Sequence, residues 1–557
     1  MADHELLFLP LGGAGEIGMN LNLYGYGGKW LMVDLGITFA DESLPGIDVL
    51  TPDTTFIEQE RGNLLALVLT HAHEDHLGAV PYLWERLRCP IYATRFAAAV
   101  LERKFSDHGI DGARITLVDY GDEVAIGPFS VTYFPITHSI PEGSALTIRT
   151  SLGSVFHTGD WKLDPVPGVG APTDEAHLRQ IGDGGILAMV CDSTNVFGHG
   201  ESGSEGAVKE SLNKIIADRT GRVIVTTFSS NIARLQSVAE IASDLGRTLA
   251  VTGRSMWRML ESARSAGYLS HLPQIVRDED VPLLPRDKVL VLCTGCQGEP
   301  RGAMSRIAFR DHPFVEVQEG DSVIFSSKII PGNERPIGAL CNRLVSSGVE
   351  VLTEKTHFVH VSGHPKREEL RRMYAHIRPR IAVPVHGEAV HLAEHASLAR
   401  TLGVPDVIVP FNGDVIRLAP GPAQTIDHVI SGRYAVDDGM LVSTDSEVIR
   451  ARRRLMYNGI VTVAVQAAQD WAEARVSLHG LPTEPGEDLE GEVEEEIEAM
   501  IQRLPRSRRN DPDEVEMVVR RAVNRIVKNG SQKRPLIDIK VFPVATNPKR
   551  KGMEVVQ

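Results

Sequence analysis

Short apolar runs separated by turns dominate the first 150 residues of the chain. Runs of about 4 to 8 residues that are rich in branched and aromatic side chains are typical of β-strands. The pattern predicts strands at Leu6 to Leu11, Leu21 to Tyr26, Trp30 to Asp34, Leu64 to Leu69, Val131 to Phe134 and Ala145 to Thr150. Helical periodicity is sparse here, at Ala79 to Arg88 and Ala97 to Asp107. The pattern therefore indicates a sheet-rich α/β fold.

Helices and strands alternate more regularly between residues 205 and 350. Helical patterns at Val208 to Asp218, Ile232 to Leu245 and Met256 to Ala266 separate apolar strands at Val223 to Thr227 and Val289 to Leu292. Strands that alternate with helices of about 10 to 15 residues indicate βαβ units and a parallel sheet. This stretch is therefore predicted to be a separate α/β unit.

Strand character returns after residue 350, and two strands there flank a turn signal. The first part of this stretch is predicted to contain strands at Val351-Leu352, His357 to Val361 and Ile381 to Val385. The dipeptide Asn412-Gly413 favours a tight turn, because both residue types tolerate a positive φ. We therefore expect Val407 to Pro410 and Val415 to Leu418 to form a β-hairpin.

The composition changes near the C-terminus. The run from Glu484 to Glu498 is dominated by acidic residues and indicates either a linker or the solvated start of a helix. A helix at Glu514 to Val527 and a strand at Leu536 to Val541 then predict a small C-terminal domain after a linker that begins near residue 450.

Length and charge narrow the class of protein. At roughly 100 to 200 residues per domain, 557 residues predict three or four domains. The net charge of −15 excludes nonspecific nucleic-acid binding over the whole surface, because a polyanion is held at clustered Lys and Arg. Any nucleic acid would need a local basic channel. The candidates for it are Arg301, Arg306, Arg310, Lys366, Arg367, Arg371 and Arg372, each of which is otherwise an ordinary solvated side chain.

The N-terminus and the cysteines indicate the compartment. The first five residues include acidic side chains where a signal peptide needs basic ones, and no apolar run approaches ~18 residues. We therefore expect a cytoplasmic protein with no membrane segment. Five cysteines are too few and too irregularly spaced for a disulfide framework. Cys293 and Cys296 are interpreted as a buried or chance pair rather than a metal or redox site.

A dense cluster of possible metal ligands follows the strand at Leu64 to Leu69. His71, His73, Asp75 and His76 lie within six residues, and imidazole with carboxylate suits zinc, or manganese where more oxygen is supplied. The alternative is a surface loop that happens to be rich in histidine. Further candidates stand at the ends of later apolar strands, and these are His138, Asp160 and His386.

Two other motifs are rejected as sites. Gly13-Ala-Gly15-Glu-Ile-Gly18 matches the dinucleotide fingerprint, but the residues that follow alternate like a strand, whereas the fingerprint needs a helix. We expect these glycines to form a tight loop near the metals. His391 and His395 match the inverted zinc-protease pattern but lack a third ligand nearby, so a solvated helix is expected instead.

The order of these motifs resembles the metallo-β-lactamase superfamily, with Asp34, the cluster from His71 to His76, His138, Asp160 and a late histidine in sequence. The resemblance implies an αββα sandwich and two divalent metal ions, zinc by first choice and manganese or magnesium otherwise. It implies that His71, His73 and His138 hold one metal, that Asp75, His76 and His386 hold the other, and that Asp160 bridges them. Asp34 would orient a ligand from behind.

Three further motifs resemble the beta-CASP domain, which is inserted in nucleic-acid-processing members of that superfamily. They are Cys191-Asp192-Ser193-Thr194-Asn195, His360-Val361-Ser362-Gly363-His364 and Val385-His386-Gly387-Glu388. Similarity at residues 227–231, 253–256, 294–299 and 326–332 extends the likeness to the ribonuclease J family over nearly the whole chain. Ser229 and Cys296 depart from that family's pattern by small-for-small changes.

The likeness to ribonuclease J implies roles for individual residues. Asp192 and His364 would transfer protons, and substrate would contact Ser230, Asn231, His360, Val361, Ser362, Gly363 and His364. Independently of the family, a Ser-Gly between two histidines offers hydroxyl, backbone N–H and imidazole donors to a phosphate. The implied domains are residues 1–200 and 351–450 for the metallo-β-lactamase part, 201–350 for the beta-CASP domain, and 451–557 for the linker and the C-terminal α+β domain.

The implied function is a two-metal ribonuclease that degrades single-stranded RNA 5′ to 3′, prefers a 5′-monophosphate end and also cuts internally. Such enzymes mature ribosomal and other RNA and take part in mRNA decay. A homodimer or homotetramer and contacts with other RNA-decay proteins are implied as well. Two alternatives stay open: a hydrolase of the same fold that acts on DNA or a small ester or thioester, and a non-catalytic RNA-binding subunit.

Overall fold

The structure is a computed structural model that describes residues 4–483, 488–530 and 533–543, with only the backbone described at 528–530 and 543. The first residues of the predicted acidic run, 484–487, and the end of the predicted C-terminal domain, 544–557, lie outside this description. The chain divides into two compact units. The first holds the residues up to Phe39 and Val49–Tyr434, and the second holds Ala40–Asp48 and the residues from Ala435 onward.

Two sheets form the framework of the first unit. The first sheet has eight strands, in the spatial order Gln424–His428, Asp414–Ala419, Leu6–Gly12, Leu21–Tyr26, Lys29–Val33, Leu64–Val68, Ile91–Ala93 and Ile115–Leu117. The second sheet has seven, in the order Glu123–Ile126, Phe129–Pro135, Ser144–Thr150, Gly153–His157, Ala188–Asp192, Ile381–Val385 and Asp406–Val407. The strands predicted for the first 150 residues are therefore confirmed, with small shifts at their ends.

The two sheets share one hydrophobic core. Phe8 and Val68 of the first sheet pack in one cluster with Val131, Ile148 and Val190 of the second, and all are fully buried. Side chains alternate between the faces of a strand, so each sheet has a second face to cover. On the second sheet that face packs against Leu178, Leu370, Met373 and Leu398 of three helices.

Helices cover the outer faces and complete the sandwich. Those on the second sheet are Glu175–Asp183, Arg367–Ile377 and Ala389–Thr401. Strand Leu6–Gly12 of the first sheet is buried along its whole length, so this sheet is also covered on both faces. The helices that intervene between its strands are Thr55–Gln59, Glu74–Leu77, Val80–Leu87 and Arg95–Asp107. The predicted αββα sandwich is confirmed.

A third sheet belongs to the inserted α/β region. Its six strands are all parallel, in the order Val276–Arg277, Thr248–Thr252, Val289–Cys293, Val223–Thr226, Ser322–Phe325 and Glu350–Leu352. Its helices are Glu205–Ala217, Ile232–Asp244, Arg254–Ser265, Ala303–Ala308 and Glu334–Val345. The predicted alternation of helix and strand is confirmed. The helices bury one apolar face, whereas the central strands are buried on both faces, as expected for a parallel sheet that is covered by helices.

The hairpin predicted around Asn412-Gly413 is wrong. Asp406–Val407 pairs parallel with Ile381–Val385 in the second sheet, whereas Asp414–Ala419 pairs antiparallel with Leu6–Gly12 in the first. The turn does exist, because Gly413 has a φ of 95° and its N–H donates to the Pro10 carbonyl over 2.7 Å. The turn carries the chain from one sheet to the other, because the two strands beside it pair with longer strands that belong to different sheets.

The second unit has its own three-stranded sheet. Ile460–Ala467 lies in the middle, antiparallel to Ala472–His479 and parallel to Leu536–Pro543. Its helices are Glu447–Asn458, Leu489–Gln502 and Pro512–Gly530, so the predicted C-terminal helix and strand are confirmed. In the described part of the acidic run, Val493, Ile497 and Ile501 are buried at helical spacing. This segment is therefore an amphipathic helix and not a linker.

The remaining elements are short. They comprise the strands Ala14–Gly15, Thr38–Phe39, Val49–Pro52, Gly387–Glu388, Arg433–Asp437 and Met440–Ser443 and the 3-10 helices Arg61–Asn63, Asp278–Leu283, Arg286–Lys288 and Arg506–Arg508. Within the described ranges, every helix falls short of the length and apolarity that a bilayer crossing demands. The predicted domain boundaries at residues 200, 350 and 450 stay predictions.

Candidate metal centre

Strand ends from both sheets bring the candidate ligands together. His71, His138, Asp160 and His386 each lie within three residues of the end of a strand, and all four are buried. The Asp160 Oδ2 atom occupies the middle of the site. It lies between 3.1 and 3.9 Å from ring nitrogens of five histidines, namely His71, His76, His138, His364 and His386. A single carboxylate oxygen thus faces every candidate ligand set.

The first candidate set consists of His71, His73, His138 and Asp160, whose ligand atoms all lie within 4.8 Å of one another. The His73 Nδ1 atom is 3.0 Å from both His71 Nε2 and His138 Nε2. Ligands at ~2.0 to 2.1 Å from one tetrahedral ion stand about 3.3 Å apart. The three nitrogens therefore already lie close to the edges of such a tetrahedron.

The second candidate set consists of Asp75, His76, His386 and, again, Asp160. Nε2 of His76 lies 3.7 Å from Asp75 Oδ2 and 3.1 Å from Asp160 Oδ2. Nε2 of His386 lies 3.7 Å from Asp75 Oδ2 and 3.5 Å from Asp160 Oδ2. The structure thus brings together all seven predicted metal ligands, in two sets that share Asp160.

The protonation of these groups suits metal binding. Burial and the neighbouring imidazoles lower the pKa of His71 and His138 well below the usual range, and burial lowers the pKa of His73 to about 4. These rings are therefore neutral and offer lone pairs, as a metal requires. Burial also lowers the pKa of His76, but the carboxylates of Asp160, Asp75 and Asp34 outweigh burial and raise this pKa well above the usual value. The same negative field would favour a metal cation at that position, so the donor set supports bound metal ions.

Asp34 contacts the second set at the ring nitrogen of His76 that does not face Asp160. Its Oδ2 lies 2.7 Å from His76 Nδ1 and accepts a hydrogen bond from the Thr70 hydroxyl over 2.8 Å. Its Oδ1 accepts from the Thr70 backbone N–H, also over 2.8 Å. These contacts leave His76 Nε2 directed towards Asp160. The position matches the orienting role predicted for Asp34, which stays a prediction.

Asn20 contacts the second set and was missed by the sequence analysis. Its Oδ1 lies 3.0 Å from His386 Nδ1, and its Nδ2 donates to the Asp75 carbonyl over 3.1 Å. Asn20 is 2% exposed. The available signal was a polar residue immediately before strand Leu21–Tyr26, but nothing local to it identifies a partner 366 residues away.

The glycine motif forms the loop that was expected near the metals. Strand Leu21–Tyr26 follows it, so the dinucleotide interpretation is excluded. The His386 N–H donates to the Gly13 carbonyl over 2.6 Å. Gly18 has a φ of 95°, and a β-carbon there would lie 3.5 Å from the β-carbon of Asp75. The loop therefore needs glycine for its conformation and lies against the second ligand set.

Asp192 and His364 form a hydrogen-bonded pair beside the candidate ligands. Asp192 Oδ2 lies 2.8 Å from His364 Nδ1, and its Oδ1 accepts from the Thr194 N–H and hydroxyl over 2.8 and 2.7 Å. Although burial lowers it, the Asp192 carboxylate raises the pKa of His364 to about 9. The ring stacks on His386, with centroids 5.5 Å apart. A cationic imidazole is thereby held next to the centre.

The Ser362-Gly363 segment lies directly against the first ligand set. The Gly363 carbonyl is 2.7 Å from His138 Nδ1, and a β-carbon on Gly363 would lie 2.8 Å from the His138 ring. The Ser362 hydroxyl accepts from the Asn195 amide over 2.6 Å and from the His364 N–H over 3.1 Å. Asn195, which stands in a recognised motif but had no predicted role, thus holds this segment in place.

The other predicted substrate residues lie around the same segment but differ in access. His360 is partly buried, and burial with the nearby cation of Arg234 lowers its pKa well below the usual value. Val361 is 4% exposed and packs against Gly203. Ser230 is partly exposed, whereas Asn231 caps helix Ile232–Asp244 by accepting from the Arg234 N–H. Contact of these residues with substrate stays a prediction.

Arg234 links that helix to the Ser362-Gly363 segment and was not predicted. Its side chain is fully buried and ion-paired with Glu205 over 2.8 Å. Its Nη1 donates to the Val359 carbonyl over 2.9 Å and to the Ser326 hydroxyl. A buried cation of this kind is costly unless its partners are all present. It therefore ties the inserted region to the chain that leads into the site.

The expectation of a solvated helix around His391 and His395 is wrong for the face that carries His395. His395 is fully buried, with Nδ1 2.8 Å from the Ser193 hydroxyl and Nε2 3.0 Å from the Tyr374 hydroxyl. Burial lowers its pKa to about 4. Both ring nitrogens are thus occupied by hydroxyl groups, which agrees with rejecting the zinc-protease motif. The helix buries this face because it packs on the second sheet.

Cys293 and Cys296 are both buried, and burial raises the pKa of each thiol to about 12. The predicted burial of the pair is confirmed, and its lack of a metal or redox role stays a prediction.

Three cations of the proposed basic channel are already ion-paired. Their partners are Glu394 for Arg367, Glu368 for Arg371, and Glu175 with Glu201 for Arg372. Arg301, Arg306 and Arg310 are exposed. Only part of the predicted channel therefore offers free positive charge.

Comparison with known families agrees with this architecture. Residues 45–178 match a model for the beta-lactamase superfamily domain, and residues 220–344 match one for the ribonuclease J beta-CASP domain. Residues 348–410 match a Zn-dependent metallo-hydrolase RNA specificity domain, and residues 447–544 match the ribonuclease J C-terminal domain. A solved structure, of a protein of unknown function from Enterococcus faecalis V583, has 17% identity, a TM-score of 0.52, and coverage of 74% of this chain and 100% of its own. At that identity it shows the fold alone.

Ribonuclease J proteins of several bacteria are similar in sequence to this chain over most or nearly all of its length. Ribonuclease J of Sinorhizobium meliloti is 45% identical, over 97% of this chain and 98% of its own length. Ribonuclease J of Corynebacterium glutamicum is 35% identical over 99% and 78%, and that of Thermus thermophilus is 36% identical over 88% and 87%. Together with the sandwich, the inserted α/β region and the histidine-rich centre, these similarities show that the chain belongs to the ribonuclease J family, the RNA-cutting hydrolases of the metallo-β-lactamase superfamily.

Proposed function

We propose that the chain is a two-metal ribonuclease that degrades single-stranded RNA from a 5′-monophosphate end in the 5′ to 3′ direction and also cuts internally. The observation that carries the two-metal part is the pair of ligand sets that share Asp160. Zinc is the proposed metal, because three imidazoles and a carboxylate are its preferred ligands, and manganese or magnesium are the alternatives.

When bound, two neighbouring cations supply a nucleophilic hydroxide at neutral pH and stabilise the charge that develops on a phosphodiester. The chain's own part is to place and neutralise the RNA. His71, His73 and His138, which present neutral nitrogens, would hold one metal together with Asp160, and Asp75, His76 and His386 would hold the other together with the same carboxylate. The Ser362-Gly363 segment, which the Gly363 carbonyl fixes against His138 Nδ1, is proposed to contact the phosphate of the RNA.

Asp192 and His364 are proposed as the proton-transfer pair. Hydrolysis of a phosphodiester releases an alkoxide, which must be protonated or stabilised. His364 is cationic near neutral pH because of Asp192, and its ring lies beside His386. It can therefore donate a proton to the leaving oxygen, while Asp192 holds the ring in position through Nδ1.

The direction of degradation and the end preference rest on the family resemblance. The same is true of roles in ribosomal RNA maturation and mRNA decay, of a homodimeric or homotetrameric state, of RNA-decay partner proteins and of a cytoplasmic location. Asp34 is proposed to orient His76, and Ser230, Asn231, His360 and Val361 are proposed to line the path of the substrate. The domain boundaries near residues 200, 350 and 450 are proposed with them.

Cleavage of end-labelled RNA tests this proposal. The full-length chain would be given one RNA sequence with either a 5′-monophosphate or a 5′-triphosphate, together with matched DNA and small esters. We expect mononucleotides from the 5′ end, faster with the monophosphate, and little turnover of the other substrates. Preferred turnover of DNA or an ester would overturn the substrate assignment, and equal rates on both 5′ ends would overturn the end preference.

Metal removal and ligand variants complete the test. Asp75→Ala and His76→Ala should reduce cleavage by several orders of magnitude while circular dichroism shows a retained fold. His108→Ala is a matched control, because His108 is an exposed histidine whose ring, among the residues that the structure describes, contacts the Lys104 carbonyl and the Tyr82 ring and no candidate ligand. Undiminished cleavage by a metal-stripped preparation would contradict the proposal.

A further inference from the structure

An exposed aromatic pair lies next to the centre and has no part in the function proposed above. Phe197 is 51% exposed, and its ring meets the His391 ring with centroids 5.3 Å apart at 66°. An isolated exposed phenylalanine is ordinary on a protein surface. Here, however, a second ring holds it in one orientation, and both residues are attached to segments that form the site.

His391 lies directly behind a candidate metal ligand. A β-carbon on Gly387, the residue after His386, would lie 2.9 Å from the β-carbon of His391 and 3.1 Å from that of Ser193. The close approach packs His391 between the late-histidine loop and the loop that begins at Asp192. The close approach therefore fixes the β-carbon of His391 beside the loop that carries His386.

Phe197 is held on the other side by the loop that supports the Ser362-Gly363 segment. Asn195, two residues earlier, donates to the Ser362 hydroxyl over 2.6 Å and to the His364 carbonyl over 3.2 Å. The Gly198 carbonyl, one residue later, accepts from the Arg367 N–H over 3.0 Å. The exposed ring thus stands on a rigid loop within a few residues of the proposed substrate contacts.

Two lysines flank this loop. Lys328 Nζ donates to the Asn195 side chain over 3.4 Å, and the alkyl chain of Lys366 packs against Gly198. Across the described residues neither lysine has a carboxylate partner, whereas Arg367, Arg371 and Arg372 nearby are ion-paired. Positive charge beside an exposed aromatic ring is the combination by which proteins bind single-stranded nucleic acid.

We propose that Phe197, oriented by His391, is a stacking platform for one nucleobase of the single-stranded RNA that occupies the metal centre, with Lys328 and Lys366 neutralising the adjacent phosphates. The proposal rests on the ribonuclease function proposed above. Stacking requires only the π face of a base, so the platform accepts any base and suits an enzyme that passes along mixed sequences.

The test compares Phe197→Ala and Phe197→Trp with the full-length wild-type chain. The probes are a short 5′-monophosphorylated RNA and a series of the same RNA in which a single abasic ribose is moved along the strand. Binding is measured by fluorescence anisotropy in chelator, where no cleavage occurs, and kcat and KM are measured with metal. Phe542→Ala is the matched control, because Phe542 is exposed to nearly the same extent, at 49%, and belongs to the second unit, whereas the candidate ligands all belong to the first.

We expect Phe197→Ala to weaken binding of the intact RNA roughly tenfold, equivalent to ~1.4 kcal/mol, and to raise KM more than it lowers kcat. The wild-type chain should lose the same factor at one abasic position, and Phe197→Ala should lose nothing further there. Phe197→Trp should restore binding. Phe542→Ala should bind RNA as the wild type does, because Phe542 lies outside the unit that holds the candidate ligands.

Unchanged RNA binding by Phe197→Ala would overturn the proposed stacking platform. The exposed ring would then be assigned to a contact with another protein. An abasic penalty of equal size in the wild type and in Phe197→Ala would overturn it as well, because the two losses would then be independent. Failure of the wild-type chain to cleave RNA would sink the ribonuclease proposal instead. The binding comparison in chelator would still decide the platform.

Discussion

At the scale of single residues, three imidazoles of the centre are oriented through the ring nitrogen that does not face the ligand sets. His76 Nδ1 meets Asp34, His138 Nδ1 meets the Gly363 carbonyl, and His386 Nδ1 meets Asn20, at 2.7, 2.7 and 3.0 Å. Such contacts select the tautomer that leaves the other nitrogen free for a metal. The ligand geometry is therefore set by partners outside the ligand sets.

Asp34→Asn tests this orientation at His76. The amide keeps the size of the carboxylate but removes the charge and one acceptor, so we expect metal affinity at the set containing His76 to fall ~10- to 100-fold. The set of His71, His73 and His138 should change less. Metal titration against a competing chelator measures both affinities.

Asp174→Asn is the control for that substitution. The Asp174 carboxylate accepts hydrogen bonds from two backbone N–H groups at the start of helix Glu175–Asp183 and lies outside the ligand sets. Asparagine caps helices equally well, so this substitution should leave the fold and the metal sites unchanged. Equal affinity of the wild type and Asp34→Asn at both sets would show that Asp34 does not orient a ligand.

At the scale of elements, the site depends on segments that are distant in sequence. Arg234 on helix Ile232–Asp244 contacts the Val359 carbonyl, and the Ser326 hydroxyl donates to the same carbonyl over 2.7 Å. Glu205, on another helix, neutralises the guanidinium. Three elements of the inserted region thereby hold the chain that leads to His360 and His364.

Arg234→Met should destabilise the protein by about 3 to 5 kcal/mol, because it leaves the Glu205 carboxylate buried without a cation. Arg219→Met is the matched control. Arg219 pairs with Glu350 over 2.8 Å at the surface, where the carboxylate is half exposed, and its loss should cost at most ~1 kcal/mol. Urea unfolding followed by circular dichroism measures both. Equal midpoints for the two variants would contradict the proposed importance of the buried pair.

At the scale of the whole molecule, the chain has separate cores. The first unit contains the sandwich and the inserted sheet, and the second packs Val463, Ile497 and Val519 around its own three strands. The candidate ligands all belong to the first unit. Metal binding should therefore stabilise one part of the molecule and not the other.

Differential scanning calorimetry with and without chelator tests whether metal binding stabilises the first unit alone. Metal at about 1,000 times its dissociation constant adds ~4 kcal/mol to the unit that binds it. We expect chelation to lower the temperature of one unfolding transition and to leave a second one in place. His76→Ala should show the lower temperature even with metal present. A single transition that shifts as a whole would show that the two units unfold together.

Local patterns were sufficient for the strands of the sandwich, the alternation in the inserted region and the candidate ligands. The reason is physical. A strand that buries a face must alternate or be apolar throughout, and a metal ligand must be one of the few residue types whose side chain carries a suitable donor atom. His71 to His76 could be recognised because four donors stand within six residues. His138, Asp160 and His386 followed from their place in the order of motifs.

The family resemblance implied that the metal ligands meet and that Asp192 meets His364. The other contacts between distant residues were decided only by the tertiary structure. Asn20 contacts His386, Arg234 contacts Val359, and His395 is buried between Ser193 and Tyr374. The expected hairpin failed for the same reason, since Val407 and Val415 pair with strands of different sheets. The sequence by itself determined the elements and their chemistry, because these depend on near neighbours. The partners of Asn20, Arg234 and His395 depend on packing between segments up to 366 residues apart, which no local pattern encodes.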